Sequence, residues 1–198
     1  MSECMATQRT AKFLFEAMML KRTLRTGYAF LGKGKESVAA HTYGTLIIAY
    51  VLSRIIDEPV NVERLLLLCL LHDLPEARTG DANAVHKKYV QILEDKAICD
   101  MLEGLDQGEE IAKILKEWKE ADTIESKLAR DADQLDMLIS LKEKMDLGSE
   151  DAKKWIPHVK RRLKTSCARK MAEAILDEHW ASWWMETFSE EDRYEEIG

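Results

Sequence analysis

The sequence predicts an all-α protein, a single-domain compact helical bundle, and three observations carry that prediction. Only 3 prolines and 9 glycines interrupt 198 residues, which favours long helices over a turn-rich β-chain. Apolar residues recur at helical spacing in one segment after another. No strand-like alternation runs long enough to compete, and there is no internal repeat or low-complexity stretch. The length suits one domain with a substantial core. A composition of 46% hydrophobic and 33% charged residues is that of an ordinary folded chain rather than a disordered one.

Taken in order, about Thr7 to Leu24 reads as an amphipathic helix, with Phe13, Ala17, Met18 and Leu20 among its apolar positions. Arg25 to Glu36, RTGYAFLGKGKE, is a loop punctuated by Gly27, Gly32 and Gly34 and made basic by Lys33 and Lys35. A helix follows from about Ser37 to Ile56. Its stripe Val38, His41, Thr45, Ile48, Leu52, Ile55 turns His41 inward. Asp57-Glu58-Pro59 ends it, and Asn61 is placed to cap the next. That next helix contains an unbroken apolar run, Leu65 to Leu71, expected to be buried on every side. It leads straight into His72-Asp73, with Glu76 just beyond.

After Glu76 the chain reads as a loop or broken helix through Gly80 and Asp81. A polar-faced helix is predicted from about Ala84 to Leu105 and a shorter one from Glu109 to Glu120. Asp122 and Glu125 form a capping box opening a helix from about Thr123 to Met145. That helix has two apolar stripes, Ile124, Leu128, Leu135, Ile139 and, roughly opposite, Ala129, Met137, Leu141, so it is expected inside the bundle. Asp131, Asp133 and Asp136 lie at its middle and cannot all be free surface carboxylates. Gly148-Ser149 ends it and opens another, about Glu150 to Lys164. The last helix is predicted from about Ser166 to Phe188, followed by an acidic tail, 189–198, expected to fray. Trp180, Trp184 and Phe188 recur every four residues with Trp183 alongside, a pattern read first as core and second as a subunit contact.

Composition also excludes functions. A net charge of -7 argues against a nucleic-acid-binding surface, though a local basic loop or a cation still admits a phosphate substrate. Cys4, Cys69, Cys99 and Cys167 show no paired metal-binding spacing, and Cys69 reads as a small core hydrophobe. A reducing, cytoplasmic setting is expected. The apolar patch Phe13-Leu14-Phe15 is broken by Glu16 with no cleavage site after it. The leucine run falls short of the ~20 residues that span a bilayer, so no membrane partner is expected.

An imidazole and a carboxylate at the tip of a buried helix need a partner that compensates for their burial. His41 and an acid from the Asp131–Asp136 stretch complete a mixed nitrogen and oxygen set suited to Mn²⁺, Fe²⁺, Co²⁺, Zn²⁺ or Ni²⁺. Periodicity does not choose among Asp131, Asp133 and Asp136. Glu76 follows His72 by four residues and Asp73 by three, so a continued turn brings it to the same side as a general acid/base. His86, His158 and His179 read as ordinary histidines outside this set.

The stretches Glu36-Ser37-Val38-Ala39-Ala40-His41, His72-Asp73-Leu74-Pro75-Glu76 and Asp131-Ala132-Asp133-Gln134-Leu135 resemble the successive motifs of the HD-domain metal-dependent phosphohydrolases. Within that superfamily the chain most resembles the 5'-deoxynucleotidase branch, all-helical homodimers that hydrolyse deoxyribonucleoside 5'-monophosphates. The resemblance covers about Arg25 to Leu141, and the C-terminal helices, about 150–188, match less specifically. It implies His41, His72, Asp73 and Asp133 as metal ligands, Glu76 as the acid serving the attacking water, and Asp81 as a second acid near the substrate. Arg25-Thr26-Gly27-Tyr28 resembles the substrate loop, with Arg25 on the phosphate and Tyr28 near the sugar; Lys33 and Lys35 are candidates to add positive field. The implied cofactor is a divalent ion, Mn²⁺ or Co²⁺ before Zn²⁺, Fe²⁺, Ni²⁺ or Mg²⁺. The implied partners are a small nucleotide and a second copy of the chain. Ala40 departs from the acid usual before the first histidine, and Tyr28 stands where Trp is common. The alternatives are another HD-type nucleotide phosphodiesterase, or a non-catalytic metal- or nucleotide-binding regulator. Ala77 after Glu76, where the polyphosphate hydrolases carry an acid, speaks against the first, and the intact motif residues speak against the second.

Overall fold

The computed structural model describes residues 3–32 and 34–195, with backbone alone for residues 3–4 and 189–195. Every regular element among the described residues is helical. In chain order these are α1 (Glu3–Ala17), α2 (Val38–Ile55), α3 (Val62–Leu71), α4 (Glu76–Thr79), α5 (His86–Tyr89), α6 (Glu94–Leu102), α7 (Gly108–Glu120), α8 (Ile124–Asp146), α9 (Glu150–Lys160), α10 (Ser166–Asp177) and α11 (Ser182–Glu195). Single 3₁₀ segments, Met18–Lys21 and Thr26–Leu31, lie between α1 and α2. The base of the Arg25–Glu36 loop is pinned where Leu24 pairs with Ser37.

α8 is the axis of the bundle, packed against α2, α3, α9 and α10. Its two-sided apolar pattern is the cause: Leu128, Ala129, Ala132, Leu135, Leu138 and Leu141 are all fully buried. With Leu52, Leu65 and Leu68 they form the main core, while Val38, Leu74, Met101 and Leu115 centre a smaller one under α6 and α7. α2 is long and apolar enough to cross a bilayer by length and composition. It lies against α3 and α8, however, and buries His41 and Thr45 there, the position of a core helix.

Side-chain caps set the helix starts. Ser37, Asn61, Thr123, Ser149 and Thr165 each accept a hydrogen bond from the amide three residues on, relieving first-turn N–H groups of α2, α3, α8, α9 and α10. The expected Asp122–Glu125 capping box is replaced by Thr123. Glu125 instead accepts from the Asn61 backbone at 2.8 Å and so ties the start of α8 to the start of α3.

Other expectations need correction. The helix predicted over 84–105 is two, α5 and α6, separated by extended backbone at Val90. Val85, Tyr89, Val90 and Leu93 are all exposed, so no apolar face anchors a helix through them, and short helices do not persist on propensity alone. The first helix starts earlier and ends at Ala17. The last one breaks at Glu178–Ala181, where the Trp180 amide donates to Asp146 at 3.0 Å. The leucine run is not buried all round: Leu65, Leu68 and Cys69 are, whereas Leu70 is 48% exposed. Trp180, Trp184 and Phe188 stack edge-to-face in a ladder, but Trp183 (77%) and Phe188 (57%) are too exposed for the core reading. α11 runs through most of the acidic stretch to Glu195; residues 196–198 lie outside the described residues.

Asp131 is fully buried and accepts hydrogen bonds from the Lys164 amide (2.6 Å), the Thr165 amide (2.8 Å) and the Thr165 hydroxyl (2.7 Å). It clamps the α9–α10 turn onto α8. Removing it leaves buried donors unsatisfied, so Asp131→Ala should lower unfolding stability by about 2–4 kcal/mol. Urea unfolding measures this, and a loss under about 0.5 kcal/mol would contradict the clamp.

Candidate metal centre

Three helices deliver the polar groups. α2 carries His41, the end of α3 carries His72 with Asp73 next, and α8 carries Asp133. The His41 Nε2 lies 3.0 Å from Asp133 Oδ1 and 3.8 Å from Asp73 Oδ2, and His72 Nε2 lies 3.1 Å from Asp73 Oδ2. His41, His72 and Asp73 each offer one donor atom within 4.8 Å of the others. Both Nε2 atoms are buried with no hydrogen-bond partner.

The opposite ring nitrogens explain why these lone pairs face inward. His72 Nδ1 donates to the Cys69 carbonyl at 2.8 Å; His41 Nδ1 lies 2.6 Å from Asp136 Oδ2, a carboxylate to which it can only donate, with Arg25 Nη1 2.8 Å away beside the pair. Each bond sets the tautomer that leaves Nε2 as the acceptor, the arrangement that orients imidazoles toward a metal. Two imidazole lone pairs aimed at two carboxylates repel unless a cation lies between them. The residues therefore fit a divalent ion: two buried imidazole nitrogens whose outer nitrogens are held, and two half-buried carboxylates. Without one, protons take that place. Burial opposes charging His41, but the adjoining carboxylates of Asp133 and Asp136 outweigh it and lift its pKa to about 9. His72 is raised against its burial by Asp73. Burial would raise Asp133, yet His41, His72 and Arg25 hold it well below the usual carboxylate range. Asp73 is held low in the same way by His72.

The three α8 carboxylates thus divide by direction. Asp133 and Asp136, three apart, share the face toward α2; Asp131 points away into its clamp. Asp136 supplies the support for His41 that Ala40 does not. Gly44, one turn along α2 from His41, makes room for it, since a Cβ there would overlap the Asp136 carboxylate. Arg25 completes this layer, with its Nη1 3.1 Å from Glu36 and 3.6 Å from Asp136. Trp118 on α7 packs its ring 4.6 Å from that of His72, and the Arg130 guanidinium lies over the Trp118 ring, 5.0 Å from its centre.

Glu76 opens α4 beside this cluster. Burial and the nearby charges of Asp73 and Asp81 push its carboxyl up to about 9. Asp81 follows Gly80, whose φ of 70° turns the chain back. Its carboxylate accepts from the Thr26 amide and, at 3.0 Å, from the Thr26 hydroxyl, fastening the loop that carries Arg25. A cavity of about 760 Å³ opens here, with Arg25, Tyr28, Asp81, Lys87, Lys154 and Arg162 among its lining. Tyr28 is 7% exposed, bonds Ser140 at 3.1 Å and lies under the Lys144 ammonium, so it anchors its loop to α8. Lys35 is exposed and does not line the cavity, and Lys33 lies outside the described residues. Among the described residues, Lys87, Lys154 and Arg162 join Arg25 as the cavity's cations.

Sequence reasoning singled out the four converging groups and Glu76 but missed Gly44, Glu36 and Trp118 as parts of the site. A glycine at i+3 from an inward histidine, inside an apolar helix, is a readable sign of close approach. Nothing in the sequence marked Trp118.

Comparison with known proteins agrees with this geometry. The sequence pattern of the HD domain matches residues 17–175. The 5'-deoxynucleotidase HDDC2 of Danio rerio is 34% identical over 134 residues, which cover 65% of this chain and 66% of that protein. The 5'-deoxynucleotidase hdd1 of Schizosaccharomyces pombe is 31% identical over 134 residues, covering 63% and 66%. The match spans slightly under two thirds of the length of these two relatives. A solved structure, a conserved hypothetical protein from Pyrococcus furiosus, matches with a TM-score of 0.71 at 27% identity, covering 85% of this chain and 99% of that one. With its helical order, its converging histidines and carboxylates, and this match along most of its length, the chain belongs to the HD-domain family.

Proposed function

We propose that the protein is a metal-dependent phosphohydrolase that releases phosphate from deoxyribonucleoside 5'-monophosphates. One observation carries the reading: two buried, unpaired imidazole nitrogens converge with two carboxylates beside a cavity that contains Arg25. The relatives named 5'-deoxynucleotidases support it. The cavity, about 760 Å³, is of a size to take a mononucleotide. Its cations, set in a chain of net charge -7, favour an anionic substrate.

His41, His72, Asp73 and Asp133 would hold the ion, and their nitrogen and oxygen donors favour Mn²⁺ or Co²⁺ over a thiophilic metal. When bound, a divalent cation neutralises phosphate charge and makes water a competent nucleophile near neutral pH. The chain's own groups do the rest. Arg25 keeps donors beyond those engaged by Glu36 and Asp136 and presents them to the phosphate. Glu76 would pass the proton between the attacking water and the leaving oxygen; a cation held by Asp73 would offset one of the two carboxylates that raise it. Asp81 acts through Thr26, holding the Arg25 turn in register. Cytoplasmic location and a homodimer belong to this reading, the latter supported by an exposed apolar row on α2, Tyr43, Ile47 and Tyr50.

Three outcomes are expected. Metal-stripped protein resupplied with Mn²⁺ or Co²⁺ should release phosphate from deoxynucleoside monophosphates, and Glu76→Ala should lower kcat about 10²–10⁴-fold without loss of bound metal. Unchanged turnover in that variant would remove Glu76 from the chemistry. Because metal must displace the proton on His41, affinity should rise with pH toward about 9, with protons released into the buffer. Conversely, the charged His41 stabilises the metal-free fold fully below the ordinary histidine range, and that contribution is lost as pH rises through about 9. Calorimetry in buffers of different ionisation enthalpy reads the proton count, and pH-independent binding would contradict the arrangement. Finally, Gly44→Ala and Asp136→Ala should each weaken metal affinity about 10–100-fold by releasing His41. A metal-buffered titration that finds both at wild-type affinity would show that Asp136 plays no supporting part.

A further inference from the structure

We infer that Trp155 on α9, together with Phe30, forms the wall on which the substrate's nucleobase stacks. The inference rests on the nucleotide phosphohydrolase reading and names the part of the site that recognises the base. Trp155 and Phe30 line the same cavity as Arg25, with Met137 and Val159 continuing its apolar side. Their ring centroids are 6.3 Å apart at an interplanar angle of 44°, so the two rings are splayed rather than stacked on each other. Phe30 is 44% exposed, a large apolar surface left uncovered on the loop that begins at Arg25. Trp155 is half-buried, packed on the main core from one side and open to the cavity on the other.

The link to the phosphate end is short in the chain and close in space. Gly27, two residues from Arg25, packs near the six-membered ring of Trp155, where a Cβ would meet Cη2 and Cζ3 at 3.9 Å. A ligand whose phosphate engages Arg25 therefore extends along Gly27 toward the aromatic pair. What suits that end is a flat, uncharged, polarisable group, which a nucleobase supplies and an alkyl or sugar phosphate does not. Stacking of this kind depends on ring area rather than on a hydrogen-bond pattern, so Trp155 selects for the presence of a base more than for its identity.

Trp155 also touches the core, so the test uses replacements that keep bulk. Metal-loaded wild type, Trp155→Phe and Trp155→Leu are compared on deoxyadenosine 5'-phosphate and on 2-deoxyribose 5-phosphate, which lacks the base. Trp155→Leu should raise KM for the nucleotide about tenfold (~1.4 kcal/mol) with kcat within about twofold, while Trp155→Phe stays within about threefold of wild type. For the abasic phosphate all three should share one KM, already higher than the wild-type value for the nucleotide. The nucleotide should quench intrinsic tryptophan fluorescence in wild type but far less in Trp155→Phe. Equal KM changes on both substrates, or none on either, would overturn the stacking wall while leaving the hydrolase reading intact. Absence of phosphate release from both substrates by wild type would overturn that reading, and the wall with it.

Discussion

The structure depends on a single electrostatic conflict and its resolution. The Nε2 atoms of His41 and His72 are buried and face the carboxylates of Asp133 and Asp73 with no other hydrogen-bond partner. In a low-dielectric interior, unpaired acceptors facing carboxylates are costly, and only positive charge between them makes the arrangement favourable. Protons on the histidines supply that charge in the metal-free chain, which is why the imidazole pKa values rise against their burial. A divalent ion held by the four would supply it with each group in its ordinary ionisation state. Because the four come from α2, the end of α3, and α8, such an ion would also tie the centre of the bundle together.

Around this conflict the fold is arranged to keep the donors aimed. The Cys69 carbonyl and Asp136 hold the outer nitrogens of the two rings, Gly44 gives Asp136 room, and Trp118 closes the face of His72. Arg25 reaches this layer through Glu36 and Asp136, and Asp81 holds its loop through Thr26. The Arg25 loop and the histidine layer are therefore joined by hydrogen bonds and ion pairs.

Much of this was legible in the sequence, for reasons that can be located. The inward turn of His41 follows from helical spacing along α2, and the arrest of a leucine-rich helix at His72-Asp73 marks a place where burial must be compensated. Local pattern could not assign the three α8 carboxylates, because α8 is apolar on two faces and either could have met the histidines. Asp131 was decided by a turn more than thirty residues away, which no window of sequence reaches. The basic loop drew attention to Lys35, which is exposed and away from the cavity, whereas Lys87, Lys154 and Arg162 join Arg25 in its lining. The break at Val90 reflects tertiary context: helical composition without a core to pack against does not hold a helix.

The most direct test of the central claim is anomalous scattering from crystals of the protein loaded with Mn²⁺ or Co²⁺. The account predicts one strong peak bounded by the Nε2 atoms of His41 and His72 and by the carboxylates of Asp73 and Asp133, at roughly 2.0–2.2 Å from each ligand atom. A peak on the other side of His41, between Glu36 and Asp136, or no peak in crystals at saturating metal, would contradict it.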